Sequence, residues 1–391
     1  MRTQVGIIGA GPAGLLLSHL LHLAGIESVV LEAKNRHYVE HRVRAGLLEQ
    51  SSVDLINESG LGARMQRESL VHDGINLCFG GKLHRIDMYA LTGRRVSIYG
   101  QQECVKDMIA VRLAAGGAIL FEAEAYALEG IDTDAPVIHF KHDGLDTTLA
   151  CDFIAGCDGF HGIARDTIPQ NILHNYDRTY PFAWLGMLAE APPSADELIY
   201  CHHPSGFALF TMRSPTVSRL YLQVEPDEDV NNWSDDRIWS ELNLRLGKHH
   251  GIKVNEGEIT QKVVTPMRSF VAEPMRHGRL FIAGDAAHIV PPTGAKGMNL
   301  AVADIDVLSK ALIAFYRQGR ADLLETYTQN CLKRIWRAQH FSWWMTSMLH
   351  PLPGAGAFDA KRQLAELEAV TSSQAGSTFL AENYAGLPLG M

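Results

Sequence analysis

Thr3-Gln-Val-Gly-Ile-Ile-Gly9-Ala-Gly11-Pro-Ala-Gly14 is a short apolar run of strand character ending in a G-x-G-x-x-G turn. Residues 12 to 24 follow with a helical pattern, and Ser28 to Glu32 form a second strand-like run. Together these pieces make a βαβ unit in which each glycine has a physical task. Gly9 makes the tight turn, Gly11 lets the backbone approach a pyrophosphate, and Gly14 lets the helix pack close to the strand. Glu32 lies 18 residues beyond Gly14 at a strand end, placed to bind a ribose hydroxyl. The plain alternative, a glycine-rich structural turn, leaves this acid unexplained.

A second segment narrows the choice of dinucleotide. Arg279-Leu-Phe-Ile-Ala-Gly284-Asp285-Ala-Ala-His288-Ile-Val-Pro291-Pro292-Thr293-Gly294-Ala-Lys-Gly297-Met298-Asn299 joins an apolar run, a carboxylate and a glycine-rich helix entry. A strand end, an acid and a helix N-terminus suit a polyol with flanking anionic groups, which favours FAD over a nicotinamide dinucleotide. Cys157-Asp158-Gly159-Phe-His161-Gly162 follows the apolar run Phe153-Ile-Ala. Read alone it fits an ordinary turn; beside the other two segments it reads as a third element of one site. No second G-x-G-x-x-G follows a strand, so a nicotinamide cofactor is expected to bind transiently.

Composition bounds the remainder. The chain has 391 residues, 46% hydrophobic and 20% charged, with a formal net charge of −9. These values fit a globular protein with a large core and argue against nucleic acid as partner. An anionic substrate would then need local arginines acting against the global field. Cys78, Cys104, Cys151, Cys157, Cys201 and Cys331 form no CxxC pair, and no Cys/His spacing reads as a metal site. A reducing, cytoplasmic setting without a signal peptide or membrane span is expected.

Along the chain, helical patterns recur at about 46–58 and 102–115, with strands near 117–121, 136–141 and 149–155. From about 176 to 267 strand-like alternation dominates, with a helix near 234–246. Long helical patterns follow at about 297–317 and 321–349, then a looser tail. The fold class expected is mixed α/β (α+β): a Rossmann-like FAD-binding domain with an inserted β-sheet substrate domain and C-terminal helices. The FAD-binding pieces would be 1–71, 98–175 and 268–345, the inserted sheet 72–97 and 176–267, and the C-terminal helical or interface segment 346–391.

Period-two alternation puts Phe207, Leu209, Thr211 and Arg213 on one strand face. Ser214-Pro215-Thr216-Val217 is turn-like, and Arg219, Tyr221 and Gln223 share a face on the returning strand. Such a hairpin would gather Thr211, Arg213 and Tyr221, an arginine fork with two hydroxyls suited to a carboxylate. The same alternation also fits a solvated strand face.

These motifs, in this order, resemble the FAD-dependent aromatic hydroxylases, the class A flavoprotein monooxygenases. The resemblance extends to Arg42-Val-Arg44-Ala-Gly46, Tyr99-Gly-Gln101, His203-Pro-Ser-Gly-Phe-Ala-Leu, Phe341-Ser-Trp-Trp-Met-Thr and Glu382-Asn-Tyr384. It covers essentially the whole chain, and the later segments resemble members acting on 4-hydroxybenzoate. It implies oxidation of NADPH or NADH and use of O2, through a flavin hydroperoxide, to give 3,4-dihydroxybenzoate. A related aromatic acid such as 3-hydroxybenzoate, or a flavin redox protein without hydroxylation, are the alternatives.

The resemblance also implies roles. Gly9, Gly11, Ala13, Gly14, Glu32, Arg42, Arg44, Ala45, Gly46, Leu47, Gln101, Asp158, Arg219, Asp285, Gly297, Met298 and Asn299 would serve FAD, Arg219 by steadying the flavin between two positions. Thr211, Arg213 and Tyr221 would hold the substrate carboxylate, with Thr293 in the pocket. Tyr200 would bond the phenol, Tyr384 would pass its proton towards His72, and the Pro292 carbonyl would approach the phenol. Tyr38, Arg42, Arg44, His161 and Arg268 would meet the nicotinamide cofactor. A homodimer is implied as well. Read alone, Tyr200 fits a core tyrosine, Tyr384 a tail residue and His72 a solvated loop histidine. Thr211 departs from a commoner serine, and residues 33–38 are less typical of the NADPH-dependent members although Tyr38 and Arg42 are retained, which leaves the nicotinamide preference open.

Overall fold

A computed structural model describes residues 1–44, 46–247 and 251–389. The expected opening forms as strand Val5–Ile8, helix Pro12–Leu23 and strand Ser28–Glu32. Ala118–Phe121, Ser28–Glu32, Val5–Ile8, Phe153–Gly156 and Leu280–Ile282 run side by side in parallel, and Arg276–His277 closes the sheet antiparallel. Val5, Ile7, Val30, Leu31, Ile154 and Ile282 are buried, as a parallel sheet covered on both faces requires. Helices Pro12–Leu23, Gln101–Ala114 and Gly297–Gln318 supply covering side chains to the same core.

An eight-stranded sheet makes the second core. Its order is His288–Ile289, Glu258–Glu273, His174–Glu190, Val217–Val224, Ala208–Ser214, Ile199–Cys201, Gly74–Phe79 and Lys82–Asp87. Neighbours pair antiparallel, except that Ile199–Cys201 runs parallel to Gly74–Phe79. His174–Glu190 and Glu258–Glu273 are long strands whose pairing runs from His174↔Glu273 to Glu190↔Glu258. They carry this sheet from the first core out to the second. Trp184, Tyr200, Phe207, Phe210 and Tyr384 are among the large side chains buried there.

Several expectations change. The pattern read as one helix over 321–349 is two, Asp322–Glu325 and Tyr327–Leu349, broken at Thr326. The looser tail lies within the segment 346–391 expected to be helical or interface, and it forms the helices Ala357–Ser372 and Gln374–Ala385. The helix read over 46–58 begins as strand Leu47–Glu49 and turns helical at Gln50–Glu58. His72, read as a loop residue, ends strand Leu70–His72 opposite Val96 and is buried. Among the described residues no helix is long and apolar enough to cross a membrane.

Candidate active site

The glycine turn has the shape a pyrophosphate needs. Gly9 has φ +101°, and a Cβ there would lie 2.3 Å from the Cys157 carbonyl oxygen. A Cβ on Gly14 would lie 2.0 Å from the Gly9 carbonyl oxygen, so only glycine lets helix and strand approach this closely. At Gly11 a Cβ would meet nothing within 4 Å. The first-turn amides of Ala13 and Gly14 have no intrahelical carbonyl to bond and are the natural anion donors. Glu32 accepts from the Ala10 amide through Oε2 and the Lys34 amide through Oε1, each at 2.8 Å. Its carboxylate is thus fixed at the strand end, where a ribose would lie.

Other predicted cofactor residues gather from distant elements. Asp285 is exposed at the tip of the turn Gly284–Ala286. Burial and the neighbouring Arg42 lower the Arg44 pKa, Asp285 and Tyr38 act to raise it, and Arg219 lowers it. Five predicted residues on four segments therefore share one electrostatic neighbourhood. Gly46 packs on the turn before Gln101: a Cβ there would lie 2.6 Å from both the Gly100 Cα and the Tyr99 carbonyl oxygen. Leu47 follows, buried at the start of strand Leu47–Glu49. Asp158 accepts from the Ala164 amide at 2.9 Å, while its Oδ1 is buried without a protein partner. Gly162 leaves room for that carboxylate, since a Cβ would lie 2.0 Å from the Asp158 Cγ. Ala45 lies outside the described residues.

Two cofactor assignments look different in three dimensions. The Asn299 side chain is fully engaged: Oδ1 accepts from the Glu49 amide at 2.9 Å, and Nδ2 donates to the Leu47 and Ala295 carbonyls. It ties strand Leu47–Glu49 to helix Gly297–Gln318. The first-turn amides of Gly297, Met298 and Asn299 are left as the groups that can face a ligand. Arg268, predicted for the nicotinamide cofactor, pairs with Asp177 through Nε at 2.8 Å. Its guanidinium lies 4.3 Å from the Phe160 ring centroid, and His161 packs edge-on against the same ring. Tyr38 and Arg42 form a separate cation–π pair at 5.8 Å.

The expected hairpin exists, with Leu209 opposite Tyr221 and Thr211 opposite Arg219. Arg213 sits at the bulge between Met212 and Ser214, its Nε buried without a partner and its Nη1 donating to the Met212 carbonyl at 3.2 Å. Burial lowers its pKa to about 10, with Tyr221 opposing the shift and Arg219 adding to it. Arg219 is also buried, with Nε and Nη1 unpaired. Two desolvated guanidiniums short of protein acceptors are ready for an anion. The Thr211 hydroxyl donates to the Met212 carbonyl at 3.3 Å.

Tyr200 lies on the next strand of the sheet and Tyr384 on helix Gln374–Ala385, and their hydroxyl oxygens lie 2.6 Å apart, both buried. Burial pushes both phenols above the ordinary tyrosine pKa, so the pair stays protonated at neutral pH. Pro292 is exposed on the turn Pro292–Gly294, and its carbonyl accepts from the Ala295 amide at 2.9 Å. The Thr293 hydroxyl lies 2.8 Å from that of Thr346. Among the described residues neither ring nitrogen of His72 has a partner, and burial lowers its pKa against Glu197, Asp196 and Asp73. It does not bond Tyr384 directly.

Three buried arrangements escaped sequence reading. Lys296 pairs with Glu49 at 2.6 Å and donates to the Tyr384 carbonyl at 3.0 Å. Trp184 stacks on Phe207, tilts against Tyr221 and donates to the His350 Nε2 at 2.7 Å. His288 pairs with Asp304 at 2.6 Å beneath the Gly284–Asp285 turn. These partners lie on different elements, so no local spacing signals them.

The profile of the FAD binding domain family matches residues 2–342. The chain is 49% identical over 389 residues to p-hydroxybenzoate hydroxylase of Acinetobacter baylyi, covering 99% of this chain and 96% of that one. It belongs to the FAD-dependent aromatic hydroxylases. A more distant relative, 3-(3-hydroxy-phenyl)propionate/3-hydroxycinnamic acid hydroxylase of Comamonas testosteroni, is 26% identical over 83% of this chain and 55% of its own. The fold matches p-nitrophenol 4-monooxygenase of Pseudomonas putida with a TM-score of 0.85, at 19% identity over 98% of this chain and 99% of that one. FAD is thus the hydroxylase's cofactor, and the open backbone at Gly11 with the fixed Glu32 carboxylate fits it.

Proposed function

We propose that this hydroxylase converts 4-hydroxybenzoate to 3,4-dihydroxybenzoate, using O2 and NADPH or NADH. The observation carrying the substrate choice is the buried hydroxyl pair of Tyr200, on the sheet that also bears the Arg213 hairpin, and Tyr384, on helix Gln374–Ala385. An aromatic acid held by its carboxylate at Arg213, Thr211 and Tyr221 would present a para oxygen to the tyrosines. FAD, when bound, supplies hydride acceptance and oxygen activation.

The protein's part is orientation and proton control. Arg213 fixes the ring by its carboxylate, limiting which ring carbon faces the flavin. Tyr200 donates a hydrogen bond to the phenol oxygen; a phenol titrates near 10 in water, so a donor is needed to favour the electron-rich anion. Tyr384 passes the proton on towards His72, whose two ring nitrogens have no partner among the described residues. The Pro292 carbonyl and Thr293 line the phenol end. Arg219 and Arg44 steady the flavin, and Tyr38, Arg42, Arg44, His161 and Arg268 receive the nicotinamide cofactor, with Arg268 leaving Asp177 to do so.

We also propose a homodimer in the cytosol. Trp336 and Trp343, seven residues apart on helix Tyr327–Leu349, are 42% and 38% exposed, and Phe379 on helix Gln374–Ala385 is 42% exposed. Exposed aromatics of this density suit a second copy. Cys78, Cys104, Cys151, Cys157 and Cys331 are buried and form no disulfide among the described residues, which suits a reducing compartment.

The deciding experiment uses the FAD-loaded protein with NADH or NADPH, alone or with 4-hydroxybenzoate or 3-hydroxybenzoate. Oxygen use matched by 3,4-dihydroxybenzoate is expected with the para acid. Matched product from the meta acid instead would overturn the substrate choice, and no substrate-stimulated oxidation would overturn hydroxylation.

A further inference from the structure

The segment bearing Asp285 spans two sheets. It leaves the parallel sheet at strand Leu280–Ile282, turns at Gly284–Ala286 and joins the antiparallel sheet at His288–Ile289, where His288 pairs with Val271. Such a turn has little sheet pairing of its own, and Gly284 adopts φ +63°. Part of its support is local: the Ala287 amide donates to the Gly284 carbonyl at 2.8 Å, the Ala272 amide to the Ala287 carbonyl at 2.8 Å, and the Arg165 Nη1 to the Ala286 carbonyl at 3.3 Å. One side chain from outside the turn grips both of its ends. The Asp304 Oδ2, on helix Gly297–Gln318, accepts from the Gly284 amide at 3.0 Å and from the His288 Nε2 at 2.6 Å.

We propose that Asp304 and His288 are positioning residues for FAD: a buried clamp that sets the Asp285 turn against the helix whose N-terminus receives the same cofactor. Asp304 and His288 are 2% and 1% exposed, so this carboxylate has no water to replace a lost partner. Asp285 itself is exposed at the turn tip, three residues from His288. Because Asp304 sits two turns along the helix from Gly297, Met298 and Asn299, the clamp fixes the distance between the carboxylate and the amides that meet the cofactor. The strand entering the turn is held separately, by the Tyr327 hydroxyl donating to the Ile282 carbonyl at 3.0 Å. Burial lowers the His288 pKa, but the charge and hydrogen bond of Asp304 outweigh it and the net direction is up, as expected for a clamp that is at least partly ionic.

The inference rests on the cofactor and not on the choice of aromatic substrate, so the readout is FAD affinity. Apoprotein of the native chain and of Asp304→Ala, Asp304→Asn, His288→Gln and Asp306→Asn would be titrated with FAD by quenching of flavin fluorescence, with apoprotein melting measured in parallel. Asp306 is the matched control: it is 3% exposed on the same helix and pairs with Lys310 at 2.7 Å, away from the turn. Losing a buried charge-assisted hydrogen bond should raise the FAD dissociation constant about tenfold or more in Asp304→Ala. A smaller rise is expected in Asp304→Asn, which keeps an acceptor for the Gly284 amide, and in His288→Gln. Asp306→Asn should lower melting without changing affinity. If Asp304→Ala does not fold, the two milder variants carry the test. FAD affinity within twofold of native in both, or an equal loss in Asp306→Asn, overturns the clamp.

Discussion

Replacing Arg213 by alanine tests the substrate site most sharply, because the structure predicts opposite effects on ligand binding and on stability. The guanidinium is buried with its Nε unpaired, and its pKa falls from 12.5 to about 10. Each pKa unit is worth about 1.4 kcal/mol, so holding the charge there costs about 3 kcal/mol. A bound carboxylate offsets that cost, so Arg213→Ala should weaken 4-hydroxybenzoate by about 3 kcal/mol, roughly 100- to 200-fold in Kd. The protein without substrate should melt no lower than native, because the variant removes a desolvated charge. The depressed pKa still lies well above neutrality, so both effects should be constant from about pH 6 to 8. Titration of the FAD-loaded protein by flavin absorbance gives Kd, and melting with and without ligand gives the second readout. A Kd within threefold of native would refute the carboxylate fork. A fall of many degrees in substrate-free melting would refute the claim that this charge is an uncompensated cost.

Other expected outcomes follow the same geometry. Tyr200→Phe should leave substrate-stimulated flavin reduction largely intact but divert oxygen to peroxide, cutting hydroxylation by at least tenfold on the scale of general acid–base contributions of about 10² or more; unchanged coupled product sinks the role. Gly14→Ala should prevent both folding and FAD uptake, since its Cβ would meet the Gly9 carbonyl oxygen at 2.0 Å. Gly11→Ala should fold normally and lose FAD affinity, because none of the described residues lies within 4 Å of its Cβ position; equal affinity in a titration counts against the pyrophosphate contact. His350 is fully buried, and desolvation drops its pKa to about 3. Its folded pKa is depressed, so the unfolded chain takes up the proton first. Stability is complete above about pH 6.5 and falls by up to about 1.4 kcal/mol per pH unit as pH drops towards 3. His350→Gln, which can still accept from Trp184, should flatten that slope in melting curves between pH 6.5 and 4.5.

How much of this was legible in the sequence depended on whether the signal was local. The βαβ opening could be read because the tasks of Gly9, Gly11 and Gly14 lie within six residues of one another. The Arg213 hairpin could be read because period two placed Thr211 and Tyr221 on faces that the register then joined. The segment 346–391 reads as helical or interface, but the bounds of helix Ala357–Ser372 are not legible, because Gln363, Leu367 and Val370 are its only buried positions among polar neighbours, a stripe too narrow to announce itself. The burial of His72 comes from packing around a three-residue strand, and nothing in its neighbours in sequence reveals it. Lys296 and Glu49 lie 247 positions apart, so their pairing is a product of the fold alone. Asn299 shows the converse: the resemblance drew attention to the residue, but its side chain ties backbone and its amide is the group left for a ligand.

The stretch from Leu280 to Asn299 carries residues proposed for both the cofactor and the substrate. It begins in the parallel sheet, touches the antiparallel sheet at His288–Ile289, turns at Pro292–Gly294 and enters a helix at Gly297. Each crossing is pinned by a different buried contact: Asp304 at Gly284 and His288, Thr346 at Thr293, and Glu49 at Lys296. The Lys296 bond to the Tyr384 carbonyl then links this stretch to the helix carrying one of the two phenols. A shift of the Asp285 turn therefore cannot be absorbed locally. It must strain either the Asp304 grip or the segment leading to Thr293, which would join the proposed flavin and phenol sites in one mechanical unit. Losses at the turn should consequently appear in substrate coupling as well as in FAD affinity, even where no substituted atom touches the substrate.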